Sequence, residues 1–430
     1  MKIPHILVIH VEHAPGNLAK VLTVVGEQGL TVEDLQMVGR NQDSTTWELT
    51  LELDGPDQLE IMAAIDKLPI ARVMGSSDRV FNRHQGGKIE TVSRSKIHDL
   101  QMLRDVYTPG VARVCLAIQD HPKLARNYTG IGNTVAIVTN GTAILGLGDI
   151  GAVAGMPVME GKAALFSQLA GLSGVPILIE SKDPDVIVDA VEAIAPSFGA
   201  VQLEDIRAPE CFEIEEKLIE RLDIPVLHDD QHGTAVVALA ALISAARSSG
   251  VHLSSSVVGQ IGLGAAGLGI TRLLGKYGVA GVLGADLDED ALARLETQGG
   301  RRAGLPDLMA KADIVIATTG VKGLIKPHMV REGQLILALS NPEPEIEPSV
   351  ALERGARFAA DGKTINNVLG FPGLFRGALA ANATSFTDQM LIAAAESISA
   401  LAPAGELTPQ ALDVSVHEKV AQAVAEASRV

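Results

Sequence analysis

Apolar positions recur with period two along His5–Val11, Leu30–Gly39, Thr45–Leu53 and Ile70–Phe81, and with a helical period along Gly16–Gln28 and Asp57–Lys67. The order βαββαβ predicts a ferredoxin-like α+β domain over residues 1–81. Residues 82–96 are polar, carry Gly86-Gly87 and predict a linker. Farther on, short apolar runs alternate with helical stretches: strand Ile177–Ile179, helix Asp185–Ala195, strand Ala200–Leu203, helix Pro209–Leu222, strand Pro225–Leu227. Such βαβ units predict parallel strands whose C-terminal ends share one edge, in an α/β domain over residues 97–233. Asn140-Gly141, between the apolar runs Thr134–Thr139 and Ala143–Leu147, predicts a hairpin. Glu160–Leu172 predicts a helix, with Lys162 in its first turn. Ala312–Thr318 and Gln334–Leu339 predict buried strands of a Rossmann-type domain over residues 234–385, and Phe386–Ala400 and Thr408–Ala427 predict amphipathic helices in a closing segment, residues 386–430.

That Rossmann expectation rests on Ser256–Asp286. A β-branched run leads into Gly262-Leu263-Gly264-Ala265-Ala266-Gly267, a helical pattern (Leu268, Ile270, Leu273, Leu274) follows, and Asp286 ends the next strand-like run, Gly278–Ala285. Gly262 suits a tight turn, Gly264 the approach of backbone N–H groups to a pyrophosphate, and Gly267 close packing of the helix, whose positive end then faces the phosphates. A structural glycine turn is the alternative, in a chain with 43 glycines.

Composition narrows the partners. A net charge of −17 argues against nucleic acid and anionic membranes. Ser248–Thr271 is uncharged and long enough to span a membrane, but its serines, glycines and internal turn do not suit one. Cys115 and Cys211 show no metal or redox spacing and read as small buried residues in a reducing compartment. With no signal peptide apparent after Lys2, the expectation is a cytoplasmic protein.

Candidate chemistry gathers at the predicted sheet edge. Glu204-Asp205 and Asp229-Asp230 follow two of the parallel strands, and carboxylates crowded there repel unless a cation is bound. All-oxygen ligands favour Mg²⁺ or Mn²⁺, while helix capping is the competing reading of Asp205 and Asp230. Lys162, expected near the positive end of a helix, would have a lowered pKa suited to a general base, or would be a solvent-exposed lysine. Tyr107, before Thr108-Pro109-Gly110, reads on its own as a half-buried anchor. The loop Gly146–Gly151 does not fit a phosphate turn, because no helix is expected directly after it. Thr318-Thr319-Gly320, Ser340-Asn341-Pro342 and the loop from Asn366-Asn367 to Gly373 offer small polar groups to a nicotinamide or ribose.

Together these elements resemble the malic enzymes in their short bacterial form. The matching stretches are Tyr-Thr-Pro-Gly-Val-Ala at 107–112, Leu-Gly-Leu-Gly-Asp at 145–149, Pro-Val-Met-Glu-Gly-Lys at 157–162, Glu204-Asp205, His-Asp-Asp-Gln-His-Gly-Thr-Ala at 228–235, the glycine turn, Ala-Leu-Ser-Asn-Pro at 338–342 and Asn-Asn-Val-Leu-Gly-Phe-Pro-Gly at 366–373. The resemblance implies oxidative decarboxylation of L-malate to pyruvate and CO₂ with NAD(P)⁺ and a divalent metal. It implies Lys162 as base at the C2 hydroxyl, Tyr107 as proton donor to C3 of enolpyruvate, Glu204, Asp205 and Asp230 as metal ligands, and Asn341 and Asn367 near substrate and nicotinamide. It also implies a homo-oligomer, dimeric at least. Where long animal forms carry a carboxylate-binding arginine, this chain has Ala143. Asp286, Asp288 and Glu289 would repel a 2′-phosphate, so NAD⁺ is expected over NADP⁺. The turn at Pro15-Gly16-Asn17 resembles the Pro-Gly turn of ACT domains, which implies a small effector at Gly16 and Asn17; a dimerisation module without ligand is the alternative. A malolactic-type enzyme, a non-catalytic metabolite sensor and an amino-acid dehydrogenase under ACT control are the competing functions.

Overall fold

The protein is described here from a computed structural model covering residues 3–41, 43–53, 59–144, 146–341 and 343–429. The expected helix start at Asp57, together with Leu145 and Pro342, lies outside the described residues. The chain divides into two units, Met1–Glu90 and Thr91–Val430.

The first unit runs β1 (Ile3–Glu12), α1 (Asn17–Glu27), β2 (Thr31–Arg40), β3 (Ser44–Leu53), α2 (Leu59–Asp66), β4 (Ala71–Asp78), α3 (Arg79–His84). Its sheet order β2-β3-β1-β4 is antiparallel throughout, which is the ferredoxin-like arrangement. Alternate residues Leu7, Ile9 and Val11 of β1 face inward with Leu49 and Leu51 of β3. Val21 and Val25 of α1, and Ile61 and Ile65 of α2, are each one helical turn apart and close that core. The first residues of the expected linker are helical, because α3 follows β4 directly.

The second unit opens with α4 (Leu100–Val106), α5 (Val111–Asp120) and α6 (Ala125–Tyr128), none of which contains a buried residue. Then come β5 (Thr134–Thr139), α7 (Ala152–Ala170), β6 (Ser173–Leu178), α8 (Pro184–Ile194), β7 (Ala200–Leu203), α9 (Glu210–Arg221), β8 (Val226–His228) and α10 (Asp229–Ser249). These strands form a parallel sheet ordered β6-β5-β7-β8. Val135 and Ile137 of β5 pack toward α7 and α10, while Ala136 and Val138 pack toward α8 and α9. Both faces are thus covered, and β5 reads as an unbroken apolar run for that reason.

Two local expectations fail here. Asn140-Gly141 does not turn a hairpin: β5 is a central parallel strand, and residues 143–144 follow it as a loop carrying one isolated bridge, Ile144 to Gly148. The helix expected at Glu160 begins at Ala152, directly after Gly151, and takes Pro157 into its interior. The glycine loop is therefore followed at once by a helix, and Lys162 sits in the third turn rather than the first.

The chain crosses to the second sheet through α10, so a boundary at 233/234 falls inside one continuous helix. Residues 235–242 of α10 are buried without interruption, as befits an alanine-rich helix covered on all sides. The second sheet contains β9 (Val257–Ile261), α11 (Ala265–Tyr277), β10 (Gly281–Ala285), α12 (Glu289–Thr297), β11 (Arg301–Arg302), α13 (Leu305–Lys311), β12 (Ile314–Ala317), β13 (Leu335–Ala338), α14 (Pro348–Glu353) and β14 (Phe358–Asp361). Its order, β11-β10-β9-β12-β13-β14, is parallel throughout and is the doubly wound Rossmann order. α15 (Phe371–Ala380), α16 (Asp388–Leu401) and α17 (Val414–Ala427) complete the unit. The last begins later than the expected Thr408, where the Asp413 side chain accepts from Ser415 N. Aromatic residues are few, yet Phe166 of α7 makes edge contacts with Phe371 and Phe375 of α15, at 4.9 and 5.4 Å between ring centroids. No described helix is long and apolar enough to cross a membrane.

Candidate active site

The strand ends of β7 and β8 deliver the acids. Glu204 and Asp205 follow β7 directly, and Asp205 is held at φ 54°, a left-handed conformation that turns the chain sharply at the sheet edge. Its backbone N–H donates to Asp230 Oδ2 at 3.0 Å and its carbonyl accepts from Ala143 N at 3.0 Å. Asp229 and Asp230 form the first turn of α10, where the positive end of the helix favours carboxylates. One ligand oxygen from each of Glu204, Asp205 and Asp230 lies within 4.8 Å of the others.

Lys162 reaches this cluster from α7. Its Nζ donates to Asp229 Oδ2 at 2.6 Å and lies 2.8 Å from Glu204 Oε1, with the Phe371 ring centroid 4.2 Å away. Burial alone would lower its pKa, but the carboxylates of Asp229 and Glu204 outweigh burial and raise it well above the usual lysine range. The expected helix-end effect is absent, because the ammonium lies mid-helix between two carboxylates.

Burial, with repulsion from Asp229, Asp230 and Asp205 that outlasts the attraction of Lys162, pushes Glu204 up to about 8. Burial and the Asp230 charge push Asp205 up to about 7. Asp230 is shifted down: burial opposes this, but His228 and Lys162 prevail. Two carboxyls pushed toward their neutral forms at the edge of a buried cluster of oxygen donors mark a place short of positive charge, and the donor set fits a hard divalent cation.

A buttress stands behind the acids. Glu215 of α9 is buried; its Oε1 accepts from His228 N at 2.6 Å, and its Oε2 accepts from Gln231 Nε2 at 3.1 Å and lies 3.0 Å from His232 Nε2. His228 Nε2 is 3.1 Å from Asp230 Oδ2, and Gln202 Nε2 donates to Glu204 Oε2 at 2.5 Å. Glu215 and Gln202 were not singled out by sequence. The buried strand position of Gln202, two residues before Glu204, was the one available signal; Glu215 looks like any helical glutamate until α9 is packed.

The glycine turn lies across a cleft of about 1000 Å³ lined by Lys162, Glu204, Asp205, Asp230, Gly264, Ala265, Ala266, Gly267, Thr318, Asn341 and Asn367. Gly262 holds φ 87°, and a Cβ on Gly267 would fall 1.9 Å from the Gly262 carbonyl oxygen, so neither position takes a side chain without rearrangement. Asp286 ends β10 behind the turn: its Oδ2 accepts from Leu263 N at 2.5 Å and its Oδ1 from Leu287 and Asp288 N at 2.6 and 3.0 Å. Asn367 Nδ2 donates to Thr234 Oγ1 at 2.8 Å, and Thr318 Oγ1 accepts from Gln260 Nε2 at 2.8 Å. Arg302, brought close to β10 by β11, is held by Glu289 and Glu296 at 2.9 Å each.

Tyr107 does not join this group. It follows α4 with its side chain exposed, and it does not line the cleft. In the first unit, Gly16 takes φ 81° ahead of α1, while buried Asn17 donates to Glu12 O at 3.2 Å and accepts from Lys20 Nζ at 3.1 Å.

A parallel sheet with acids and a lysine at its edge, facing a Rossmann sheet across one cleft, defines a two-sheet α/β protein with a dinucleotide-type glycine turn opposite a cluster of oxygen donors. Family models described as the malic enzyme N-terminal domain and the malic enzyme NAD binding domain match residues 86–183 and 180–219, and residues 358–428. NAD-dependent malic enzyme 1 of Bacillus subtilis (strain 168) is 54% identical over 425 residues, spanning 98% of this chain and 97% of that protein. The NAD-dependent malic enzyme of Geobacillus stearothermophilus is 40% identical over 439 residues, spanning 96% and 91%. A solved malic enzyme from Pyrococcus horikoshii Ot3 superposes with a TM-score of 0.76 at 40% identity, covering 80% of this chain and 87% of that one. The chain belongs to the malic enzyme family.

Proposed function

We propose that the protein oxidatively decarboxylates L-malate to pyruvate and CO₂, reducing NAD⁺, with Mg²⁺ or Mn²⁺ at Glu204, Asp205 and Asp230. The observation that carries this reading is Lys162 Nζ, 2.8 Å from Glu204 in the same cleft as the glycine turn. A bound divalent cation would polarise the C2 oxygen and balance charge on the carboxylates. Lys162 shares Glu204 with that site, so neutralising Glu204 would loosen the hold on the ammonium; its proton would pass to Asp229, 2.6 Å from Nζ, and on to solvent through the cleft, and the neutral amine would then take the proton of the C2 hydroxyl. Gly264–Gly267 hold the dinucleotide at the start of α11, and Asn341 and Asn367 orient substrate and nicotinamide, so that the C2 hydride leaves toward the ring. Free NADH and pyruvate should accumulate in equal amounts from malate; lactate without free NADH would overturn the reading in favour of a malolactic reaction.

Tyr107 is the proposed proton donor to C3, and a phenol is protonated at neutral pH. Its exposure, together with that of Leu100, Leu103 and Leu116 on helices that contain no buried residue, supports a homo-oligomer, dimeric at least, whose contact covers this arm. Assembly then supplies the phenol to a cleft. Cys211 is buried as expected, whereas Cys115 is exposed on α5, a helix that buries no residue; both are free, which supports a reducing cytoplasmic setting. The ferredoxin-like unit is proposed as an ACT-like regulatory module, with Gly16 and Asn17 at its effector contact.

A further inference from the structure

We infer that Arg207 recognises a carboxylate of the dicarboxylate substrate and so sets its specificity; this rests on the reaction proposed above. The cleft already carries Glu204, Asp205, Asp229 and Asp230, and a substrate with two carboxylates adds further negative charge. Of the cations lining it, Lys162 is committed to Asp229 and Glu204, and Ala143 offers only a methyl group. Lys363 lines the cleft from the segment after β14, on the dinucleotide side. Arg207 lines it two residues beyond Asp205, on the loop that carries the acids.

That loop is fixed. Arg207 N donates to Thr142 Oγ1 at 3.1 Å, Thr142 Oγ1 donates to Asn140 Oδ1 at 2.6 Å, and Ala143 N donates to Asp205 O at 3.0 Å. The base of the arginine is therefore stitched to the strand end of β5 beside the small side chain of Ala143, which leaves room for the guanidinium. Nε and Nη2 both donate to one oxygen, Glu210 Oε1, at 3.1 and 2.6 Å. Glu210 Oε2 is buried without a hydrogen-bond partner, so the pair is not a closed bidentate fork. The Arg207 side chain stays half exposed, and the outer N–H groups of its plane remain in the geometry that carboxylates accept in pairs. Glu210 thereby orients the guanidinium without saturating it.

The test compares Arg207→Gln, Arg207→Lys and Glu210→Gln in the full-length protein. With NAD⁺ and Mn²⁺, R207Q should raise KM for malate about 10- to 100-fold, the loss of a charge-assisted contact, with KM for NAD⁺ unchanged. R207K should recover part of the loss, and E210Q should move KM for malate by far less than R207Q. Calorimetric titration of malate into Mn²⁺-loaded protein should repeat the contrast without turnover, while Mn²⁺ affinity stays the same in all variants. Unchanged malate affinity in R207Q overturns the inference. So do equal losses in R207Q and E210Q with a lowered Tm in both, which would make the pair a brace for α9. Malate binding that depends on Arg207 but yields no NADH would instead sink the proposed reaction and leave this inference standing.

Discussion

Lys162 is the only lysine among the cleft-lining residues held by two buried carboxylates, and removing it takes away both a proton carrier and the counter-charge of Asp229 and Glu204. Lys162→Ala should lower kcat for malate-dependent NADH formation by about 100- to 10,000-fold, the range for a lost general base. Unchanged turnover in steady-state assays would mean the base lies elsewhere. Asp286 spends its oxygens on Leu263, Leu287 and Asp288 N–H groups and stands beside Asp288, while Arg302 is tied to Glu289 and Glu296. A 2′-phosphate would meet these carboxylates, and Arg302, which β11 brings beside β10, is already paired, so kcat/KM should favour NAD⁺ over NADP⁺; the reverse preference would show that the acids do not govern the choice. At this scale the sequence disclosed which carboxylates stand after which strand. It did not disclose the Asp229–Lys162 contact or the Glu215 buttress, because those partners come from helices 67 and 17 residues away whose packing has no sequence period.

Strand positions with an unbroken apolar run were legible. Ala200–Leu203 returns as β7 with the expected bounds, since a strand covered on both faces must be apolar throughout. Asn140-Gly141 misled because the same dipeptide that turns a hairpin also lets a central parallel strand exit into a loop. Gly155 and Pro157 are poor helix formers inside the first turns of α7, and packing of this segment against Ile144 and the sheet overrides their propensity. In α17, His417 is buried, with Nε2 2.8 Å from Ala411 O and Nδ1 without a partner. Burial lowers its pKa, against the smaller upward pull of that carbonyl and of Asp413. The unfolded chain therefore binds the proton more readily. The associated stability is whole above the unfolded value of about 6.5 and is lost as pH falls from there toward the folded value. Denaturant midpoints should drop more between pH 8 and pH 5.5, on the order of a fraction of the total stability, in wild type than in His417→Gln; parallel drops would show that His417 does not titrate in this window.

Across the whole molecule, the ferredoxin-like unit and the two parallel sheets follow from hydrophobic periodicity, while the exposed arm of α4 and α5 does not. Its apolar residues look like core residues in sequence, yet none in those two helices is buried within the chain. If a second copy covers this arm and brings Tyr107 to a cleft, mixtures of refolded Tyr107→Phe and Lys162→Ala chains should regain activity that neither variant has alone. Activity that never rises above the sum of the parents would place the phenol and the lysine of one site on one chain. The central claim, that Glu204, Asp205 and Asp230 hold the cation on which malate oxidation depends, is tested most directly by following NADH and pyruvate formation from malate before and after chelation. Loss of both products on chelation, with recovery on adding Mn²⁺, is the predicted result; activity that survives complete metal removal would contradict it.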